Sequence, residues 1–278
     1  MTDRIQALID IALQEDIGTG DITTDALFGE QTVERQAVIT AKQDLIIAGL
    51  EIARRVFQTV DHHLHWERYF EDGQSVKKGQ KVAQISGRLQ SLLKGERTAL
   101  NFLQHLSGIA TVTHQFVQKV EKYPVQILDT RKTTPAMRAM EKHAVRAGGG
   151  KNHRIGLFDR YLMKENHLAH VSIAEAIAKA KAHNQNKVPI EIEIRPNQWE
   201  KEIEEAIQAG ADILLMDNFP PKELSKVVKK VAGRVKLEAS GGVNFETVTD
   251  FAKTGVDYIS IGALTHSAPA VDLSLEII

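Results

Sequence analysis

Apolar residues recur along this chain in two rhythms, and the change from one to the other predicts two kinds of architecture. Ile5, Leu8, Ile9, Ala12 and Leu13 fall at helical spacing behind Thr2 and Asp3 as caps, so an amphipathic helix is expected over 3–15. Asp16 to Thr24 then reads as a loop, because Asp and Gly are common turn formers. From Val33 to Gly87 short strands prevail, at 33–41, 63–70 and 75–86, around a helix over 50–60. Residues 90–122 return to helical spacing through Leu92, Leu93, Leu100, Leu103 and Leu106, with Ser107-Gly108 as an expected break. Glu96-Arg97 interrupts that apolar face and, by position alone, is a solvated pair.

After Tyr123-Pro124 the rhythm becomes strict. Apolar runs at 125–130, 160–164, 188–194, 211–217, 234–240 and 256–262 are separated by helical stretches at 172–184, 197–209, 221–232 and 244–253. Between the first two runs lies a long basic loop and helix. Short strands alternating with helices imply a parallel sheet joined by right-handed crossovers. Six strands are too few for a closed eight-stranded barrel, which takes roughly 250 residues. The expected class is therefore α/β: an N-terminal α/β sandwich over 1–108, then an open or incomplete α/β barrel over 109–278. A doubly wound open sheet is the alternative for the second part.

Charge sharpens this picture in one place. The 278 residues carry a net charge of -1, and the pI of about 6.8 argues against a general nucleic-acid or membrane-surface binder. Yet Asp129 to His167 packs Arg131, Lys132, Arg138, Lys142, Arg146, Lys151, Arg154, Arg160 and Lys164 against only Asp129, Glu141, Asp159 and Glu165. The triplet Gly148-Gly149-Gly150 lies in its middle. Positive charge on turn-forming backbone suits an anionic small molecule. No cysteine occurs, which excludes disulfides, thiolate metal sites and a cysteine nucleophile. The acidic N-terminus lacks the order of a signal peptide and no long apolar run occurs, so the expected location is cytoplasmic.

In barrels of this kind the chemistry sits at the C-terminal strand ends. Those ends are polar in every case: Asp129-Thr130-Arg131-Lys132, Lys164-Glu165-Asn166, Glu193, Asp217-Asn218, Ser240-Gly241-Gly242 and Gly262-Ala263. The two late glycine turns offer backbone N–H groups to a phosphate. Arg131 and Arg154 match a carboxylate bidentately. Glu193 and Asp217 suit ribose hydroxyls, Mg²⁺ or a developing oxocarbenium ion. His153, beside Arg154, is a candidate hydrogen-bond donor to an anion, and a packed histidine is the competing reading. His153 and His167 lack metal-ligand spacing with another histidine, so zinc is not expected.

The runs Glu96-Arg97-Thr98-Ala99-Leu100-Asn101, Asp129-Thr130-Arg131-Lys132-Thr133-Thr134-Pro135, and Gly148-Gly149-Gly150 with Asn152-His153-Arg154 together resemble the quinolinate phosphoribosyltransferase family. So do Lys164-Glu165-Asn166-His167, Asp217-Asn218 and Glu238-Ala239-Ser240-Gly241-Gly242, although an aspartate is usual in that family where Glu165 stands. The resemblance covers nearly the whole chain. It implies transfer of a phosphoribosyl group from phosphoribosyl pyrophosphate to quinolinate with decarboxylation, in de novo NAD biosynthesis. It also implies a homodimer or a larger assembly in which Arg97 reaches the partner's site. By that likeness Arg97, Thr130, Arg131, Lys132, His153, Arg154 and Lys164 hold quinolinate. Glu193, Asp217, Ser240, Gly241, Gly242, Ile261, Gly262 and Ala263 hold phosphoribosyl pyrophosphate and its Mg²⁺, with Glu193 and Asp217 as possible metal ligands. The catalytic set is Lys132, Lys164, Glu193 and Asp217. Two rivals remain: a phosphoribosyltransferase for a related acid such as nicotinate, and a lipoyl- or biotinyl-like carrier module, suggested by the tight turns over 72–80.

Overall fold

Local capping decides where the first elements start and stop. A computed structural model describes residues 2–29, 31 and 33–278; the side chains of Thr2 and Asp3, the expected caps, lie outside the described residues. Helix α1 (Thr2–Ile17) outruns its expected end. The loop expected over 16–24 is largely replaced by helix, because Asp21 accepts from the Thr24 amide at 3.0 Å and caps α2 (Ile22–Phe28). Then follow β1 (Glu34–Ala41), β2 (Leu45–Ile46), α3 (Leu50–Val60), β3 (His65–Arg68), β4 (Ser75–Val76), β5 (Lys81–Arg88) and α4 (Leu89–Val120).

No break occurs at Ser107-Gly108. Helix α4 runs through both residues, and Gly108 serves packing: an added Cβ would stand 2.2 Å from the Pro269 carbonyl oxygen. The remaining elements are β6 (Gln126–Leu128), α5 (Arg138–Ala147), β7 (Tyr161–Met163), α6 (Glu165–Leu168), α7 (Ile173–His183), β8 (Ile190–Glu193), α8 (Trp199–Ala209), β9 (Ile213–Asp217), α9 (Pro221–Val231), β10 (Lys236–Ser240), α10 (Val248–Ala252), β11 (Tyr258–Ser260), α11 (Ala263–His266) and β12 (Leu273–Ile277).

The chain separates into two compact units. One comprises 1–114, 134–149 and 267–278; the other comprises 115–133 and 150–266. The first holds an antiparallel sheet in the order β12-β1-β5-β3, so the last strand of the chain belongs with the N-terminal sheet. Its core gathers Ile9, Ile39, Phe57 and Ile85 with Leu92, Leu100, Leu103 and Leu106 of α4, all fully buried. Each such side chain contributes about 2 kcal/mol of burial free energy.

The second unit is a six-stranded parallel sheet in the order β6-β11-β10-β9-β8-β7. Consecutive strands are neighbours and β6 returns beside β11, the sequence of a barrel; a doubly wound sheet reverses its order at a switch point. The seam lies between β6 and β7, where Lys151 makes an isolated parallel bridge to Leu128. The strands are short and their interiors buried, as in β9, because helices cover them; α9, for example, turns Leu224, Val227 and Val231 inward at helical spacing. Among the described residues no helix is long and apolar enough to cross a membrane.

Candidate active site

The C-terminal strand ends of the second unit enclose a cavity of about 430 Å³, lined among others by Thr130, Arg131, Lys132, His153, Arg154, Lys164, Asp217, Ser240, Gly241, Gly242, Ile261, Gly262 and Ala263. Its size suits small-molecule recognition. These residues come from separate strand ends, so only the sheet brings them together. Glu193 is not among the lining residues, but its Oε2 lies 3.1 Å from Lys164 Nζ, a charge contact without hydrogen-bond geometry. Arg97 belongs to the other unit, where it is an exposed residue of α4.

The basic stretch therefore divides. Arg131, Lys132, Arg154 and Lys164 line the cavity; Arg138, Lys142 and Arg146 sit on α5 in the first unit. The first glycine of the triplet serves packing: a Cβ at Gly148 would meet the Ala110 carbonyl at 2.4 Å and Thr113 Cβ at 2.7 Å. It allows the close approach of α5 to α4.

Elsewhere the loops are tied down by specific bonds. Buried Asp129, at the end of β6, accepts from the His153 amide at 2.8 Å and from Asn152 Nδ2 at 2.5 Å, which fixes the 151–154 segment. Thr265 Oγ1 donates to the Lys132 carbonyl at 2.7 Å, holding the Lys132 loop to the turn after β11. Gly241 has φ +86 and Asn218 has φ +59, and the Asn218 amide donates to the Ser240 carbonyl at 2.8 Å. The two loops thus interlock, and Asn218 Nδ2 orients the Asp217 carboxylate at 2.9 Å.

The electrostatics are one-sided. Burial first, and then the charge of Arg131, hold the Arg154 guanidinium below its usual pKa. Two neighbouring cations in a partly desolvated wall call for an anion between them. His153 lines the cavity and is largely buried in its wall. Its Nδ1 accepts from the Arg154 amide at 2.7 Å, while Nε2 lies 3.2 Å from Glu191 Oε2 and 3.3 Å from Glu238 Oε1. Both nitrogens are thus engaged within the wall. Burial disfavours charging this ring, but the two carboxylates outweigh it and raise the pKa to about 9. A charged ring would carry a proton on Nδ1 facing the Arg154 amide, so protonation breaks that bond.

Several lining residues have no role in the sequence-based expectation: Leu162, Leu215, Glu238, Val243, Ser260 and His266. Glu191 and Glu238 are buried acids within β8 and β10, and the signal that could have found Glu191 was its place inside an apolar run, IEIE, expected to be buried on both faces.

A cavity fed by cations and glycine turns from the mouth of an incomplete barrel belongs to an enzyme that acts on anionic small molecules. The particular family follows from comparison. Residues 109–276 match the quinolinate phosphoribosyl transferase C-terminal domain and 21–107 its N-terminal domain, so the chain belongs to the quinolinate phosphoribosyl transferase family. A probable carboxylating nicotinate-nucleotide pyrophosphorylase from Bacillus subtilis is 43% identical over 275 residues, covering 99% of this chain and 93% of that protein. One from Methanocaldococcus jannaschii is 38% identical, covering 96% of this chain and 95% of its own length. The solved nicotinate-nucleotide pyrophosphorylase of Francisella tularensis superposes with a TM-score of 0.94 at 39% identity, covering 100% of this chain and 97% of that one.

Proposed function

We propose that the protein transfers the phosphoribosyl group of phosphoribosyl pyrophosphate to quinolinate and decarboxylates the product, giving nicotinate mononucleotide, CO2 and pyrophosphate, a step of de novo NAD biosynthesis. The observation that carries this reading is the pairing of Arg131 and Arg154 across one cavity, with Lys132 and Lys164 beside them. Two carboxylates on one ring satisfy such a group better than one does. The names of the relatives support the same reaction.

In this reading Arg131, Arg154, Thr130, Lys132 and Lys164 hold the dicarboxylate, while Ser240, Gly241, Gly242, Ile261, Gly262 and Ala263 receive the phosphoribosyl pyrophosphate. His153 packs in the wall between Glu191 and Glu238. Asp217 and Glu193 face the ribose. The C1–oxygen bond breaks and pyrophosphate leaves with its electron pair; the carboxylates stabilise the positive charge on the ring. The pyridine nitrogen then forms the new bond to C1. Loss of CO2 from C2 leaves its electron pair beside the positive ring nitrogen, and a proton replaces it. Lys132 or Lys164 orients the departing carboxylate. The chief contribution of the protein is to bring two anions together in a fixed attitude.

The donors fit Mg²⁺ carried by the pyrophosphate, since that ion commonly takes one or two protein carboxylates and completes its shell from phosphates and water. Asp217 lines the cavity and offers such a donor, whereas Glu193 is already paired with Lys164. When bound, the ion neutralises the leaving group. We further propose a cytoplasmic homodimer in which the partner subunit's Arg97 completes the dicarboxylate site; the exposed place of this residue on α4 supports that arrangement.

Incubation with quinolinate, phosphoribosyl pyrophosphate and Mg²⁺ tests the assignment. Stoichiometric nicotinate mononucleotide and CO2 are expected. Turnover of nicotinate without turnover of quinolinate would favour the monoacid enzyme and overturn the proposal. An intact mass showing a lipoyl or biotinyl group, with no turnover, would favour the carrier.

A further inference from the structure

An ionic cluster is built into the floor of the cavity: His153, Glu238 and Ser260 line it, and Glu191 and Arg160 stand behind them. Glu191 of β8 is 0% exposed and Glu238 of β10 is 1% exposed. Two buried carboxylates facing one histidine are a costly arrangement unless a cation joins them. The cation is Arg160, which precedes β7. Its Nη1 lies 3.1 Å from Glu191 Oε2, 3.3 Å from His153 Nε2 and 3.7 Å from Glu238 Oε2. The three ligand-type groups would be close enough together to hold a metal ion, but the guanidinium stands in that place. Ser260 Oγ completes the cluster, donating to Glu238 Oε1 at 2.5 Å.

The cluster is wired to the cavity wall twice. His153 Nδ1 receives the Arg154 amide at 2.7 Å, and Arg154 Nη1 reaches back to the Arg160 carbonyl at 3.5 Å. The side chains of Arg160, the glutamates and His153 therefore bear on the main chain at Arg154, while the Arg154 guanidinium rests on the Arg160 main chain. Asp159 holds the intervening turn, accepting from the amides of Ile155 at 2.8 Å and Gly156 at 3.0 Å. A guanidinium repelled by Arg131 and partly desolvated needs such a frame to keep its aim without a ligand.

We propose that Arg160, acting with Glu191 and Glu238, is the positioning residue that fixes Arg154 for recognition of the substrate carboxylate. It touches no substrate itself. The inference rests on the proposed quinolinate reaction, and it locates affinity for the acid, rather than for the phosphoribosyl donor, in a half-buried arginine and two buried glutamates.

The test is quinolinate binding by titration calorimetry and the separate KM values of both substrates in Arg160→Met, Arg160→Lys, Arg154→Lys and the double variant Arg160→Met/Arg154→Lys, with unfolding measured alongside. Arg160→Met should weaken quinolinate on the order of tenfold while changing the KM for phosphoribosyl pyrophosphate less than about threefold, as loss of a group acting through Arg154 requires. Arg160→Lys, which keeps the charge, should recover part of the loss. The double variant should lose less than the product of the two single losses, because both act through Arg154. Independent losses, an equal rise in both KM values, or lowered stability with unchanged quinolinate affinity would each overturn the inference. Should Arg160→Met not fold, the isosteric Glu238→Gln must show the same selectivity, and unchanged affinity there overturns it equally. Failure of the unsubstituted protein to bind quinolinate refutes the substrate reading and the inference together, whereas binding that the variants leave intact refutes the inference alone.

Discussion

The adjacent glycines after β10 make opposite demands on space, and Gly241→Ala compared with Gly242→Ala turns that difference into a measurement. Both residues lie in the left-handed region, at φ +86 and +65. Alanine pays a conformational cost of about 1–2 kcal/mol at either one. At Gly242 nothing of the protein lies within 4 Å of the added Cβ, so the conformational term is the whole effect. At Gly241 the Cβ would stand 2.2 Å from Asn218 Oδ1 and 2.7 Å from the Asn218 amide nitrogen. The side chain can turn away, at the expense of its 2.9 Å bond to Asp217. The amide cannot, because it donates to the Ser240 carbonyl just past the end of the β9–β10 pairing. Overpacking of this kind costs about 1–3 kcal/mol, so Gly241→Ala should destabilise by about 2–5 kcal/mol in total. Equilibrium unfolding in urea without ligand measures both. Equal losses, or a larger loss for Gly242→Ala, would refute the claim that contact with Asn218 sets the loop.

Other outcomes follow from the same geometry. Arg131→Ala should lower kcat/KM for quinolinate by about 10- to 150-fold, the worth of a charge-assisted bond of about 1.5–3 kcal/mol; an active variant would remove the clamp. Mixing Arg97→Ala with Arg131→Ala subunits should restore some activity if sites are shared, and failure despite proven heterodimers would count against that. The His153 ring has a folded pKa of about 9, above its unfolded value of 6.5. Its stabilisation is therefore fully present below pH 6.5 and lost as pH rises through 9, on the order of 3 kcal/mol in all. His153→Gln should flatten the fall in unfolding free energy over that window, and an unchanged slope would exclude the buried imidazolium. Removing Mg²⁺ with EDTA should stop turnover yet leave quinolinate affinity within about threefold, because the acid is held by arginines.

Period and strand-end chemistry are properties that sequence displays directly. The alternation after Tyr123 predicts the six parallel strands that form, and their polar C-terminal ends predict most of the cavity lining. Such signals are legible because side-chain period follows backbone geometry. Other features depended on what stands opposite. Gly108 resembles a helix break, yet it admits the Pro269 carbonyl; Gly148 resembles an anion loop, yet it admits α4. The basic stretch reads as one site, but α5 carries three of its cations into the first unit, and the last strand, β12, joins the first sheet. Glu191, Glu238 and Arg160 are far apart in sequence and meet only when the strands are registered side by side. Sequence alone thus determined most of the elements, the class of fold and the polar strand ends that line the cavity. The partners of each glycine and each buried charge were decided by tertiary packing, because a close approach or an ion pair is a relation between distant segments that periodicity cannot express.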